Sequence, residues 1–170
     1  MAKSKQKRNV EIEENDDELD VEEREDRNKI FINTHESINQ ELCGEIQKIE
    51  SGYVELELLT TSDMAADEMG LIHGGFVFSA ADYAAMVAVN ERNVVLVASE
   101  CQFLSPVKLG DKVRVIAKVR HKEGRKRNVE VEAFVLEIKV FSGLFKTVIT
   151  DRHVLKLNLL DSAGEGEQKN

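Results

Sequence analysis

The sequence predicts an α+β fold in which a curved antiparallel sheet wraps around one long central helix. Three observations point to it. Residues 74–90 are apolar on almost every side and rich in alanine, so a helix there must be enclosed on most of its surface. Segments with period-2 alternation cluster around that stretch, two before it and four after it. Strands bunched after a single buried helix make an antiparallel α+β sheet, not a doubly wound one. Finally, 170 residues suffice for one domain of ordinary size and not comfortably for two.

The elements follow in order. Residues 1–27 form a charged tail that lacks the apolar surface to offset the entropy of ordering it. A domain is expected over 28–160, and a flexible tail over 161–170. A short helix is expected within 28–40. "CGEIQKIE" is a short strand joined through the Ser51-Gly52 turn to "GYVELELLTT" (52–61), where Val54, Leu56 and Leu58 alternate with Glu55 and Glu57. A loop over 62–72 leads into the helix.

Beyond the helix, "NVVLVASECQFL" (93–104) is a strand stopped by the only proline, Pro106. "DKVRVIAKVRH" (111–121) sets Val113, Val115, Ala117 and Val119 opposite Lys112, Arg114, Lys118 and Arg120. "NVEVEAFVLEI" (128–138) repeats the alternation with Val129, Val131, Ala133 and Val135. A last strand is expected near 144–157.

Charge and composition narrow the function. The chain carries a net charge of −9, but residues 10–27 alone hold eleven acids against two arginines. Because four basic groups precede them, the remaining 143 residues carry only −4. The acidic block reads as a solubilising extension or as a docking arm for a basic partner. No apolar run follows the N-terminal lysines, and the 74–90 stretch is short of the roughly 20 residues that span a bilayer. Cys43 and Cys101 have neither metal-ligand spacing nor a disulfide framework, so a cytoplasmic location is expected. His35, His121 and His153 form no metal spacing, and no metal or separate cofactor is expected. Cys101, on a strand, reads as core and not as a nucleophile.

The helix raises its own question, since Asp82 stands alone among Ala80, Ala81, Ala84, Ala85 and Ala88. "HGGFVFSAAD" followed by "YAAMVAVN" resembles the hotdog-fold acyl-CoA thioesterases, particularly the subfamily of the phenylacetate-pathway thioesterase, with the Asp nine residues after the His. "FLSPVKLGDKVRVIAKV" (103–119) is similar to the family's F-x-x-P-x-x-x-G-D strand-loop-strand segment. The resemblance covers roughly 42–157. It implies hydrolysis of an acyl-CoA thioester, coenzyme A being part of the substrate, at two sites across a dimer interface, in a homodimer or dimer of dimers.

The residues can be read beside the resemblance. A helix that begins at Gly74-Gly75 offers unpaired backbone N–H groups and the positive end of its dipole. Such an end suits a carbonyl oxygen that is becoming an anion, as in thioester hydrolysis. Asp82 lies two turns past Gly75 on nearly the same face, roughly 10 Å along the axis. One carbonyl can hardly touch both, so the groups meet only if Asp82 of one chain faces Gly75 of another.

In that picture Asp82 is a general base on water or a nucleophile, Gly75 N–H polarises the carbonyl, and His73 orients substrate or the loop. The rival for Asp82 is a structural carboxylate bonded to Ser79, Tyr83 or a neighbouring backbone. Gly74, Phe76, Phe78, Tyr83 and Met86 are candidate substrate contacts, with a core role as the alternative for the side chains. Arg120, Lys122, Arg125 and Arg127 around a hairpin turn are candidate contacts to the phosphates of coenzyme A, or else a solvated hairpin. Asn90 is expected to end the helix.

Two departures from the family pattern stand out. Asp67 occupies a place where many relatives carry Asn, and "VVLVA", with Leu96 and Val97, stands where some place Ser or Thr. "LCGEIQKIE" and "VFSGLF" (140–145) also resemble the hotdog effector domain of malonyl-CoA-sensing bacterial repressors. That likeness implies the alternative, acyl-CoA binding without turnover by a sensor acting through a protein partner. The acidic tail stands where those repressors have a DNA-binding segment, and it is too negative to grip phosphates; no direct DNA binding and no membrane partner are expected.

Overall fold

The computed structural model of the protein describes residues 30–157, so both expected tails lie outside the described residues. Within Ile32 onwards, the described elements are α1 (Gln40–Cys43), β1 (Glu45–Glu50), β2 (Tyr53–Leu59), α2 (Gly74–Val89), β3 (Val94–Phe103), β4 (Lys112–Glu123), β5 (Lys126–Val135) and β6 (Ile138–Ile149). The six strands form one sheet in the order β1-β2-β4-β5-β6-β3, antiparallel at every pairing. This is the hotdog fold, the sheet curving around α2. Register shifts between Leu96 and Ala98, Val119 and His121, and Ala133 and Phe134 mark places where an extra residue bends a strand.

The alternation read from the sequence faces the helix as expected. Val54, Leu56 and Leu58 of β2, Val113, Val115 and Ala117 of β4, and Val129, Val131 and Ala133 of β5 are all fully buried. Opposite them, Ala80, Ala81, Ala84, Ala85 and Ala88 are buried too, so the small side chains let the backbone of α2 lie close to the strands. Fully burying a Val or Leu side chain stabilises by about 1.5–3 kcal/mol, which is where this layer gets its strength. The helix ends at Asn90, whose left-handed backbone (φ 54°, ψ 37°) and N–H bond to Met86 O close the last turn. Asn90 Oδ1 also accepts from Asn33 N at 2.8 Å, tying the helix end to the segment before α1.

Three boundaries differ from expectation. The helix expected within 28–40 is instead the four-residue α1, because Asn39 caps it (its side chain accepts from Glu41 N) and Gly44, at φ 91°, ends it. Ile32 and Ile38 still reach the core, from an irregular segment and not from a helix. β5 stops at Val135 and β6 starts at Ile138, six residues before the expected strand, because the chain turns at Leu136 and Glu137. Leu136 adopts φ 54° there, a conformation usually left to Gly or Asn. Residues 150–157 form a bend and a 3-10 turn over Val154–Lys156 where the expected strand would have continued. Among the described residues no helix is long and apolar enough to cross a membrane.

Candidate active site

The loop before α2 delivers its first residues in a fixed pose. Asp67 Oδ1 accepts from Met69 N (3.0 Å) and Leu71 N (3.1 Å), closing the turn that Gly70 completes. The loop is then held by bonds from Ile72 N to Val107 O and from His73 N to Met64 O, each 2.9 Å. An acid at position 67 thus has a full structural role in its own turn. His73 is the N-cap residue but makes no side-chain cap bond, and its ring is exposed.

Rings close over both glycines. A Cβ at Gly75 would lie 3.0 Å from His73 Cδ2 and Nε2, and one at Gly74 would lie 2.9 Å from Phe103 Cε1. Neither glycine has positive φ, so it is close approach, not backbone conformation, that calls for them. Of the N–H groups of this first turn, that of Phe76 donates to His73 O at 3.1 Å, whereas those of Gly74 and Gly75 have no intrahelical acceptor and form no backbone bond outside the helix among the described residues. Phe76 lies beside His73, edge-on at 6.3 Å between ring centroids.

Asp82 sits seven residues into an unbroken helix from Gly75, half-buried, with Oδ1 enclosed and without a hydrogen-bond partner among the described residues. Burial raises its pKa from 3.8 to about 6. The neighbours expected to satisfy it within the chain are engaged elsewhere. Ser79 Oγ lies 3.2 Å from Cys43 Sγ, and the Tyr83 hydroxyl interacts with Gln40. An enclosed carboxylate oxygen with no donor is rare in folded proteins and calls for an explanation.

The other expected site residues fall into two groups. Tyr83 and Met86 are buried in the core, and the half-buried Phe78 packs tilted against Phe145 at 5.4 Å between ring centroids, so these three pack the helix within the chain. The basic hairpin stands at the far end of the sheet. Lys126 pairs with Val148 and Val94 with Ile149, whereas Phe103, over the helix start, pairs with Phe141. Eight residues of β6 separate Val140 from Val148, roughly 26 Å along the strand. There Arg120 pairs with Glu130, Arg125 with Asp151 at 2.7 Å, and Arg127 donates to the carbonyls of Gly124 and Lys126; Lys122 has no ion pair among the described residues. Among the described residues no group of three or more His, Cys, Asp or Glu is placed to hold a metal ion.

Sequence reading missed the wall beside the helix start. Ile72, Val77, Phe103, Pro106, Val107 and Val140 line a cavity that reaches Gly74. Phe103 and Pro106 belong to the F-x-x-P segment, and that segment's position just after the strand facing the helix was the signal that could have found them.

A helix start with free N–H groups, an unpaired carboxylate two turns on and a curved sheet around both are the marks of a hotdog thioesterase-like protein. The family model of the Thioesterase superfamily matches residues 69–142, from the loop ahead of α2 into β6. The chain belongs to that superfamily. A methylthioribose-1-phosphate isomerase of Aquifex aeolicus is 53% identical over 117 residues, covering 69% of this chain but 26% of that protein. The transcription factor FapR of Staphylococcus aureus is 30% identical over 108 residues, 63% of this chain and 58% of the regulator.

The chain thus spans less than two thirds of either curated relative. Among solved structures, an uncharacterized protein from Pyrococcus horikoshii is 44% identical with a TM-score of 0.73, covering 74% of this chain and 97% of that one. Two more distant structures share the fold. The PaaI protein of Escherichia coli is 24% identical (TM-score 0.62, 68% of this chain and 86% of that one). A hypothetical thioesterase of Streptococcus pneumoniae, solved with coenzyme A, is 20% identical (TM-score 0.59, 64% and 87%).

Proposed function

We propose that the protein hydrolyses acyl-CoA thioesters at sites shared between two copies of the chain. The observation that carries this reading is the enclosed Asp82 Oδ1, which finds no donor within its own chain. Two-fold pairing of identical helices would set Asp82 of one protomer against the Gly74-Gly75 helix start of its partner, supplying donors to one group and a reacting carboxylate to the other.

In this arrangement the thioester carbonyl oxygen accepts from the first-turn N–H groups, with Gly75 N–H as the main donor. Asp82 takes a proton from water, and the hydroxide forms a bond to the carbonyl carbon. The tetrahedral oxyanion is held by the N–H groups; the C–S bond then breaks, and the coenzyme A sulfur leaves as a thiol after taking up the proton. Direct attack by the Asp82 carboxylate, followed by hydrolysis of the mixed anhydride, uses the same atoms. His73, exposed and resting on Gly75, orients the thioester as it enters. The basic hairpin of a protomer would meet the coenzyme A phosphates, and coenzyme A bound to the S. pneumoniae relative supports that ligand class.

A second reading is favoured by the likeness to FapR, a transcription factor: acyl-CoA is bound without turnover and the signal passes to a protein partner. Purified protein assayed against a panel of acyl-CoA thioesters, with Asp82→Asn in parallel, separates the two. Turnover lost in the variant while acyl-CoA still raises its melting temperature supports the hydrolase. Stabilisation without turnover in both proteins leaves the sensor. A monomeric protein with full activity would end the shared-site reading.

A further inference from the structure

The cavity beside the helix start has a chemistry narrower than "acyl-CoA". Its volume is about 370 Å³. That is at the low end of the roughly 300–1,000 Å³ of small-molecule sites, enough for the acyl part of a thioester and not for the nucleotide. Ile72, Val77, Phe103, Pro106, Val107 and Val140 make its walls; Ser105 brings the one side-chain hydroxyl, and no charged side chain lines it. Gly74 belongs both to this lining and to the first turn of α2. A carbonyl held by the first-turn N–H groups therefore has the cavity directly beside it.

The wall has a buried side and an exposed side, the latter made by Phe103, Leu104 and Pro106. Val77, Val107 and Val140 are buried, whereas Phe103 is 57% exposed. Its ring rests on Gly74 and meets Phe141 edge-on at 5.3 Å. Among the exposed wall residues it is the one that touches the helix start, so its loss would open the cavity at that point without opening the core.

We propose that this cavity receives the hydrocarbon of an uncharged acyl group, aliphatic or arylalkyl, and that Phe103 sets how long that group can be. The inference rests on the thioesterase-like reading and names the substrate class for the same site. A dicarboxylic half-thioester is disfavoured, because its free carboxylate would lie against mainly apolar walls with no cation among the lining residues to pair it.

The test is a specificity profile. Wild type, Phe103→Leu and Phe103→Ala are assayed with butanoyl-, octanoyl-, phenylacetyl- and succinyl-CoA, reading kcat/KM and, in parallel, the rise in Tm that each thioester causes. The octanoyl-to-butanoyl ratio is expected to rise about tenfold or more in Phe103→Ala, as a few extra methylenes find room, with Phe103→Leu between. Succinyl-CoA is expected to be the poorest ligand in all three. A ratio that stays put in both variants overturns the role of Phe103, and succinyl-CoA equal to butanoyl-CoA overturns the substrate class, while hydrolysis itself stands. If no thioester is either hydrolysed or stabilising, the thioesterase reading falls and takes this inference with it. The Tm profile keeps the question answerable if the protein only binds, and the exposure of Phe103 makes folded variants the expected outcome.

Discussion

The two ends of the sheet are built from opposite chemistries. Around the start of α2, Phe103, Leu104, Leu136 and Ile138 all stand exposed, and farther along the same helix lies a carboxylate oxygen with no donor in the chain. At the far end, the hairpin over 120–127 is charged and largely paired, Arg120 to Glu130 and Arg125 to Asp151. Exposed ion pairs of that kind are each worth about 0.2–1 kcal/mol and are replaceable. Exposed apolar side chains and an enclosed unpaired acid lower the stability of an isolated chain, so that end is where contacts from outside the chain have most to offer. The proposed chemistry belongs to the first end, and the proposed recognition of charge to the second.

Substitutions can sharpen or break that contrast. The largest effect is expected from Asp82→Asn, with kcat for acyl-CoA hydrolysis falling about 10²–10⁴-fold while thioester binding, read by thermal shift, is retained. An unchanged rate would move the chemistry away from this end. Next comes Gly75→Ala, whose added Cβ would lie 3.0 Å from the His73 ring. A loss on the order of 10–10³ in kcat is expected if the first-turn donors are shifted. Partial recovery in the double variant with His73→Ala would locate the cause in the ring contact.

The pH profile ties function to stability at the same residue. Burial raises the Asp82 pKa to about 6, so kcat should climb as pH rises through that value and the carboxylate forms. Stability moves the other way. The folded-state pKa lies above the unfolded value near 3.8, so the folded chain binds the extra proton between the two. That contribution is full below about pH 4 and is lost as pH rises through about 6. Urea titrations should show the fall in wild type and its absence in Asp82→Asn, which remains neutral throughout.

The smallest effect is expected at the charged end. Lys122→Ala with Arg125→Ala should raise KM for acyl-CoA a few-fold and leave kcat alone. The change should shrink at high salt and vanish with acyl-pantetheine, which lacks the nucleotide phosphates. A kcat effect as large as that of Asp82→Asn would erase the distinction between the two ends.

Most of the fold was legible because its pattern is carried by side-chain alternation. Val113, Val115 and Ala117 against Lys112, Arg114 and Lys118 state both a strand and its buried face. The β5–β6 turn was not legible, since Leu136 and Glu137 give no turn signal; the strand ladder, not local preference, imposes the left-handed leucine. Asp82 announced itself as a polar residue at a buried position. Its lack of a partner became visible only once Ser79 and Tyr83 were seen to be committed to Cys43 and Gln40. The cavity was hidden for a similar reason: Ile72, Phe103 and Val140 are remote in sequence and are apolar residues of ordinary type.

The rings that lie over the helix start have a consequence for how this protein can change. A side chain at position 74 would make an aromatic ring at position 103 shift, and one at position 75 would make the His73 ring give way by a few tenths of an ångström. Each glycine is therefore one half of a pair. A relative that carries alanine at position 74 should carry a smaller residue at position 103, with a wider acyl preference as the by-product. Variation at these two sites is expected to be correlated, so that substrate range drifts in discrete steps, two residues at a time.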